Sequence, residues 1–268
     1  MPDISLTMPA IRQHLWSDFY ESAARSCSNH SFELVIASPF DLPDSLKDKT
    51  NIVHIKDYGN PSRATQLANI AATGDLIYNC VDDGVFTNHA LDWVVDYFKR
   101  NCGELDVVNM RYREAPNGDG GVFPLESWKA GFHGDLRLPG INPEWGIALH
   151  FVMKRQTYLD FGGIDCEFEY SNHGIHDLMF RLQAAGGCIH PSELDGLNCT
   201  HLPGESGDHA PIHKAQTFHD GPRFANIYKS PTAAHDRKCL DLENWKSQSE
   251  VWDKRDCSNV QSYEDLYK

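Results

Sequence analysis

The chain has no apolar run near the roughly 20 residues needed to cross a bilayer as a helix. Its start, "MPDISLTMPA", has no basic segment followed by a long apolar one, so no signal peptide is visible. There is no CxxC pair among the eight cysteines, which are scattered and fall partly in apolar runs, as Cys80 and Cys188 do. That scatter reads as reduced, buried thiols more than as a disulfide framework. Positive charge is scarce: 24 Lys and Arg stand against 38 Asp and Glu, a net charge of −14. Broad binding to nucleic acid or to an anionic membrane needs clustered Lys and Arg, so both are excluded as general partners. Repeats and low-complexity tracts are missing too. These absences point to a soluble, cytoplasmic globular protein.

A core can form, because 41% of the 268 residues are hydrophobic. Strand-like runs at Ile4–Met8, Phe32–Ala37, Asn51–Ile55, Asp75–Val81 and Leu105–Met110 alternate with helical spacing over Gln13–Ser26, Ser62–Thr73 and Asn88–Arg100. Ser62 reads as the cap of the second helix and Gly74 as its stop. Such alternation predicts an α/β fold, a mostly parallel sheet sandwiched by helices. Arg111–Trp145 reads as loops, Trp145–Arg155 as a long strand, and Gly174–Gly187 as a helix. Past His201 the periodicity weakens. Residues 202–268 read as a tail or lid with some helix near Leu240–Trp252.

Within this pattern "YNCVDDGVF" places two aspartates and a glycine directly after an apolar strand. Asp and Gly are turn residues. In a parallel sheet, however, ligands bind beyond the carboxyl ends of the strands. A carboxylate pair there suits Mg2+ or Mn2+, which take oxygen ligands and bridge phosphates. The residues alone leave both readings open.

Their surroundings carry a resemblance. "NPSRATQLANIAATGDLIYNCVDDGVFTNHALDWVVDYF" resembles the central stretch of family 2 glycosyltransferases, of the GT-A (Rossmann-like) fold. A Gly-acidic pair, a strand and a DxD motif follow one another there, so Val81-Asp82-Asp83 would occupy the DxD. "YLDFGGIDCEFEYSNHGIHDLMFRLQAAGG" is similar to the family segment "lGGfDe.f…eDldl..Rl…G". The resemblance spans about residues 1–201, as one glycosyltransferase domain, with 202–268 as an extension that would serve as lid or acceptor-binding segment.

The resemblance implies a metal-dependent, inverting glycosyltransferase of the hexosyltransferase type. It would move a sugar from a nucleotide-sugar donor, a UDP- or GDP-sugar, to a carbohydrate or other hydroxyl acceptor. Asp83 and His201 would hold Mn2+ or Mg2+; Pro9, Ser38, Arg63 and Asp82 would line the donor site. Asp177 would be the general base, placed at a helix N-terminus that favours its ionised form. Trp145 would offer a ring face to an acceptor sugar. The pattern also departs from the family. Ala37-Ser38 stands where an aspartate usually reads the nucleotide base, Thr65-Gln66 where an Arg-Asn pair is common, and His176 where the "ED" glutamate belongs. Two other readings compete. One is a nucleotide- or carbohydrate-binding domain of the same fold without turnover. The other is a nucleotidyltransferase, which would want a Gly-rich basic loop near the first strand, where "TMPAIRQHLW" offers only Arg12.

Overall fold

The computed structural model describes residues 1–114, 125–199 and 215–248. Its centre is an eight-stranded sheet: β1 Ile4–Pro9, β2 Phe32–Ser38, β3 Ile52–Lys56, β4 Leu76–Asn79, β5 Gly84–Phe86, β6 Val107–Glu114, β7 Phe151–Lys154 and β8 Ile189–Cys199. The order across the sheet is β3-β2-β1-β4-β7-β6-β8-β5. The first four are parallel, β7 runs antiparallel to both neighbours, β8 is parallel to β6, and β5 closes the edge antiparallel to β8. The expected α/β architecture, mostly parallel in its N-terminal half, is present.

Period-two patterning explains which side each strand buries. Ile4, Leu6 and Met8 of β1 join Leu34, Ile36 and Tyr78 in one core layer. Over it lie α1 (Trp16–Ser26), the short α2 (Asp44–Lys47) and α4 (Ala90–Asn101), which contribute Trp16, Phe19, Leu46, Leu91, Val94 and Phe98. Each such side chain, fully buried, stabilises the fold by about 1.5–3 kcal/mol. The opposite face carries Val35, Ala37, Ile77, Phe151 and Met153, packed against α3 (Pro61–Ala71), α5 (Arg155–Asp160) and α6 (Ser171–Ala184). Two polar strand residues on this face are buried but bonded: Ser5 Oγ donates to Glu33 (2.6 Å) and Thr7 Oγ1 to Asn69 (2.8 Å).

Several local expectations are corrected. Helix α3 starts at Pro61, whose missing N–H and fixed φ suit the first turn; its cap is Asn60, accepting the Arg63 amide at 2.8 Å, not Ser62. The long strand expected over Trp145–Arg155 shrinks to β7, because residues 145–147 are drawn off to pair with the 3-10 turns around Lys129 and to pack beneath α6. The three-residue β5 shows no periodic signal of its own. It exists because the C-terminal end of β8 offers it an edge.

C-terminal helices occur at Gly221–Tyr228 (α7) and Ala233–Asp236 (α8), ahead of the expected position. Around Leu240–Trp252 the described residues show only a 3-10 turn at Asn244–Gln248. Phe224, Tyr228, Ala233 and Ala234 make a third core cluster with Phe168 and Phe180. The strap that follows runs back along α3 and the turn between α5 and α6. Leu240 N donates to Phe161 O (3.1 Å), and Asn244 accepts the Cys166 amide (2.9 Å). It lies beside Gly162 and Gly163, whose φ values of +74° and +68° belong to the left-handed region glycine tolerates.

Candidate functional site

Strand β1 has β2 on one side and β4 on the other, so the chain's crossovers leave it in opposite directions and open a crevice at the carboxyl ends. Pro9–Arg12, Ser38–Phe40, Asp57–Arg63 and Cys80–Asp83 follow those ends. "VDDG" is a turn between β4 and β5, and both aspartates are buried at the crevice, 2% and 4% exposed. The turn reading and the site reading of this stretch are therefore compatible.

Asp82 organises the loop after β1. Its Oδ2 accepts the backbone amides of Ile11 (2.7 Å) and Arg12 (2.6 Å), with the Trp16 indole at 3.4 Å. Its Oδ1 accepts Arg12 Nη1 at 2.5 Å, and the same nitrogen lies 3.8 Å from Asp83 Oδ1. One oxygen of each aspartate thus converges on one guanidinium nitrogen, in a niche built for a cation. Such a donor set fits Mg2+ or Mn2+, which are held by one or two carboxylates and completed by water and substrate phosphates. Among the described residues no group of three or more His, Cys, Asp and Glu is arranged as a full cage. His201, the other expected ligand, lies outside the described residues.

Across the crevice Ser38 is fully buried; its Oγ accepts the Phe40 amide (3.0 Å) and its carbonyl the Asp57 amide (3.0 Å). Pro9 ends β1 in register with Ala37. Arg63 is held by Asp57, 2.9 Å from both Nε and Nη2 to Oδ1. It also donates to the Trp245 carbonyl (3.2 Å) and stacks 4.8 Å from that indole's centre. The strap therefore sits on the arginine expected at the donor diphosphate. Gln66 is a latch for the same segment. Its Nε2 donates to Gly162 O and Leu242 O, both at 3.0 Å, and its Oε1 accepts the Tyr158 hydroxyl at 2.6 Å.

Asp177 is not at a helix N-terminus: α6 begins at Ser171, so it stands well inside the helix and wholly buried. It accepts Arg181 Nε (2.7 Å), Tyr228 OH (2.9 Å) and Arg237 Nε (3.2 Å). Burial pushes its carboxyl up, but the two guanidiniums outweigh burial and hold it below the ordinary carboxylate range. A carboxylate so enclosed anchors the C-terminal segment.

Trp145 is half-buried and stacks on Phe180, ring centres 5.8 Å apart, as a core residue would. His176 lies on the same aromatic wall, with both ring nitrogens sealed from water and no hydrogen-bond partner. Burial first, then the neighbouring His173 and His133, push its pKa down to about 3.

No protein-family model matches the chain, and no curated protein matches its sequence. The match is in fold, to the GT-A glycosyltransferases. The solved structures similar to this chain include S. aureus TarS 1-349 in complex with UDP, at 11% identity and a TM-score of 0.56 over 94% of this chain and 91% of that one. TarS 1-349 in complex with UDP-GlcNAc gives 12% identity and 0.57 over 93% and 74%. A further TarS structure gives 12% and 0.55, this chain spanning 44% of its length.

Proposed function

We propose that the protein is a nucleotide-sugar-dependent glycosyltransferase whose donor binds across the carboxyl ends of β1–β4. The observation that carries this is the coincidence of two things. The GT-A fold is shared with TarS, whose structures hold UDP and UDP-GlcNAc, and the buried Asp82–Asp83–Arg12 cluster lies at the crevice where this fold takes its ligands. In this reading Pro9, Ser38 and Asp57–Arg63 line the nucleotide side, and Asp82 shapes the loop that would meet the diphosphate. Asp83 Oδ1 and Asp82 Oδ1 would hold Mn2+ or Mg2+. When bound, that ion supplies Lewis-acid neutralisation of the leaving diphosphate. The role of Asp177 as base is not carried into the proposal, because its oxygens are spent on Arg181, Arg237 and Tyr228.

One observation favours a second reading, a nucleotide- or carbohydrate-binding domain without turnover: Asp177, the carboxylate expected as base, is wholly buried and bonded to Arg181, Tyr228 and Arg237. Two measurements separate the readings. Thermal unfolding with UDP, GDP, CMP and dTDP, each with and without Mn2+, should show stabilisation by one nucleotide. At about 100 times its dissociation constant a ligand adds about 2.7 kcal/mol. Release of sugar from the matching nucleotide sugar then marks an enzyme, and binding without release marks a binder. Stabilisation by none of the four would remove the proposal.

A further inference from the structure

The cation niche at "VDDG" is filled by the protein itself. Arg12 Nη1 lies between Asp82 Oδ1 and Asp83 Oδ1, and the three side chains are 10%, 3% and 3% exposed. A divalent ion reaching those two oxygens has to take the place of the guanidinium nitrogen. Resting on the reading above, we propose that Arg12 is an internal competitor for the metal, and that a nucleoside diphosphate relieves the competition by drawing Arg12 onto its phosphates.

The charges make the case. The two carboxylates of the niche each repel a diphosphate. Exchanging Arg12 for a divalent ion leaves the carboxylates neutralised and moves the guanidinium from the two aspartates toward the ligand. Guanidinium is well matched to phosphate oxygens through paired N–H donors. The backbone around Arg12 is held meanwhile: Asp82 Oδ2 keeps the amides of Ile11 and Arg12 whether or not the side chain leaves Oδ1. The loop therefore stays in place while the side chain moves. Metal and nucleotide would each bind weakly alone and tightly together. Linkage requires the gain to be the same in both directions.

The arrangement also assigns Arg12 a part in transfer. When the bond between the anomeric carbon and the phosphate oxygen breaks, its electron pair stays on that oxygen. The acceptor hydroxyl oxygen forms the new bond and loses its proton to a base or water on the acceptor side. Arg12, moved onto the phosphates, offsets the charge left on the diphosphate.

The test uses free-Mn2+ electron paramagnetic resonance on the full chain, wild type and Arg12→Gln, with and without UDP or GDP, plus calorimetric titration of the nucleotide with and without Mn2+. Arg12→Gln alone should bind Mn2+ at least tenfold tighter than wild type. In wild type the stabilising nucleotide should raise Mn2+ affinity at least tenfold, Mn2+ should raise nucleotide affinity by the same factor, and the factor should shrink in the variant. A folded Arg12→Gln protein with unchanged or weaker Mn2+ binding overturns the proposal. Independent binding of Mn2+ and nucleotide by wild type overturns it too, even if the variant fails to fold. Absence of nucleotide binding under every condition would instead sink the glycosyltransferase reading, leaving the Mn2+ comparison of the two proteins to decide the competition.

Discussion

Replacing Asp177 by asparagine separates an anchor from a base. The substitution keeps the volume and removes one charge from a site where Asp177 and Arg181 are both 0% exposed. Arg181 Nε would lose its carboxylate partner, and Arg237 would keep only Asp165, at 2.6 Å. Breaking a buried ion pair by removing one member costs about 3–5 kcal/mol, because the other charge stays buried and uncompensated. Against a total stability of about 5–15 kcal/mol, that is a large fraction. Urea unfolding should show it as a fall in midpoint on the order of 1 M or more for an m-value near 3 kcal/mol/M. Limited proteolysis should meanwhile cut after residue 228 more readily, since Tyr228 and Arg237 are what Asp177 holds.

Asp177→Leu combined with Arg181→Met should recover part of the loss, as both charges then leave together. The pH dependence has a definite sign. The folded carboxyl titrates below its ordinary value, so its contribution is present above about pH 4 and lost only as pH falls through the folded value. The gap between wild type and Asp177→Asn should therefore be level from pH 5 to 8. The reasoning is refuted if Asp177→Asn unfolds within about 0.5 kcal/mol of wild type while turnover drops a hundredfold or more. That outcome would restore Asp177 as a base.

Two further predictions concern stability. His176 titrates near pH 3 in the fold against 6.5 for an ordinary histidine, so between those values the unfolded chain binds a proton the folded one does not. Stability should fall as pH drops below about 6.5, by up to about 1.4 kcal/mol per unit from this residue. His176→Phe should remove that share and stabilise the protein at pH 7, since two sealed, unpartnered ring nitrogens disappear; equal slopes for both proteins in urea melts at pH 6.5 and 5 would contradict it. Gly162→Ala adds a Cβ that collides with the Leu240 carbonyl at a φ of +74°. It should cost more than the roughly 1–2 kcal/mol of the left-handed backbone alone and loosen the strap, which hydrogen exchange at Leu240 would register.

What the sequence determined by itself is what short-range patterning encodes. Ile4, Leu6 and Met8 alternate, and Leu91, Val94, Val95 and Phe98 recur at helical spacing, so the βα series and the position of "VDDG" at a strand's carboxyl end follow from local periodicity. What each polar group does was decided elsewhere. Arg12 meets Asp82 across 70 residues, Asp177 meets Tyr228 and Arg237 across 51 and 60, and Arg63 meets Trp245 across 182. No periodicity records such pairings, because a buried charge takes whichever counter-charge the packed sheet and the returning strap bring within bonding distance.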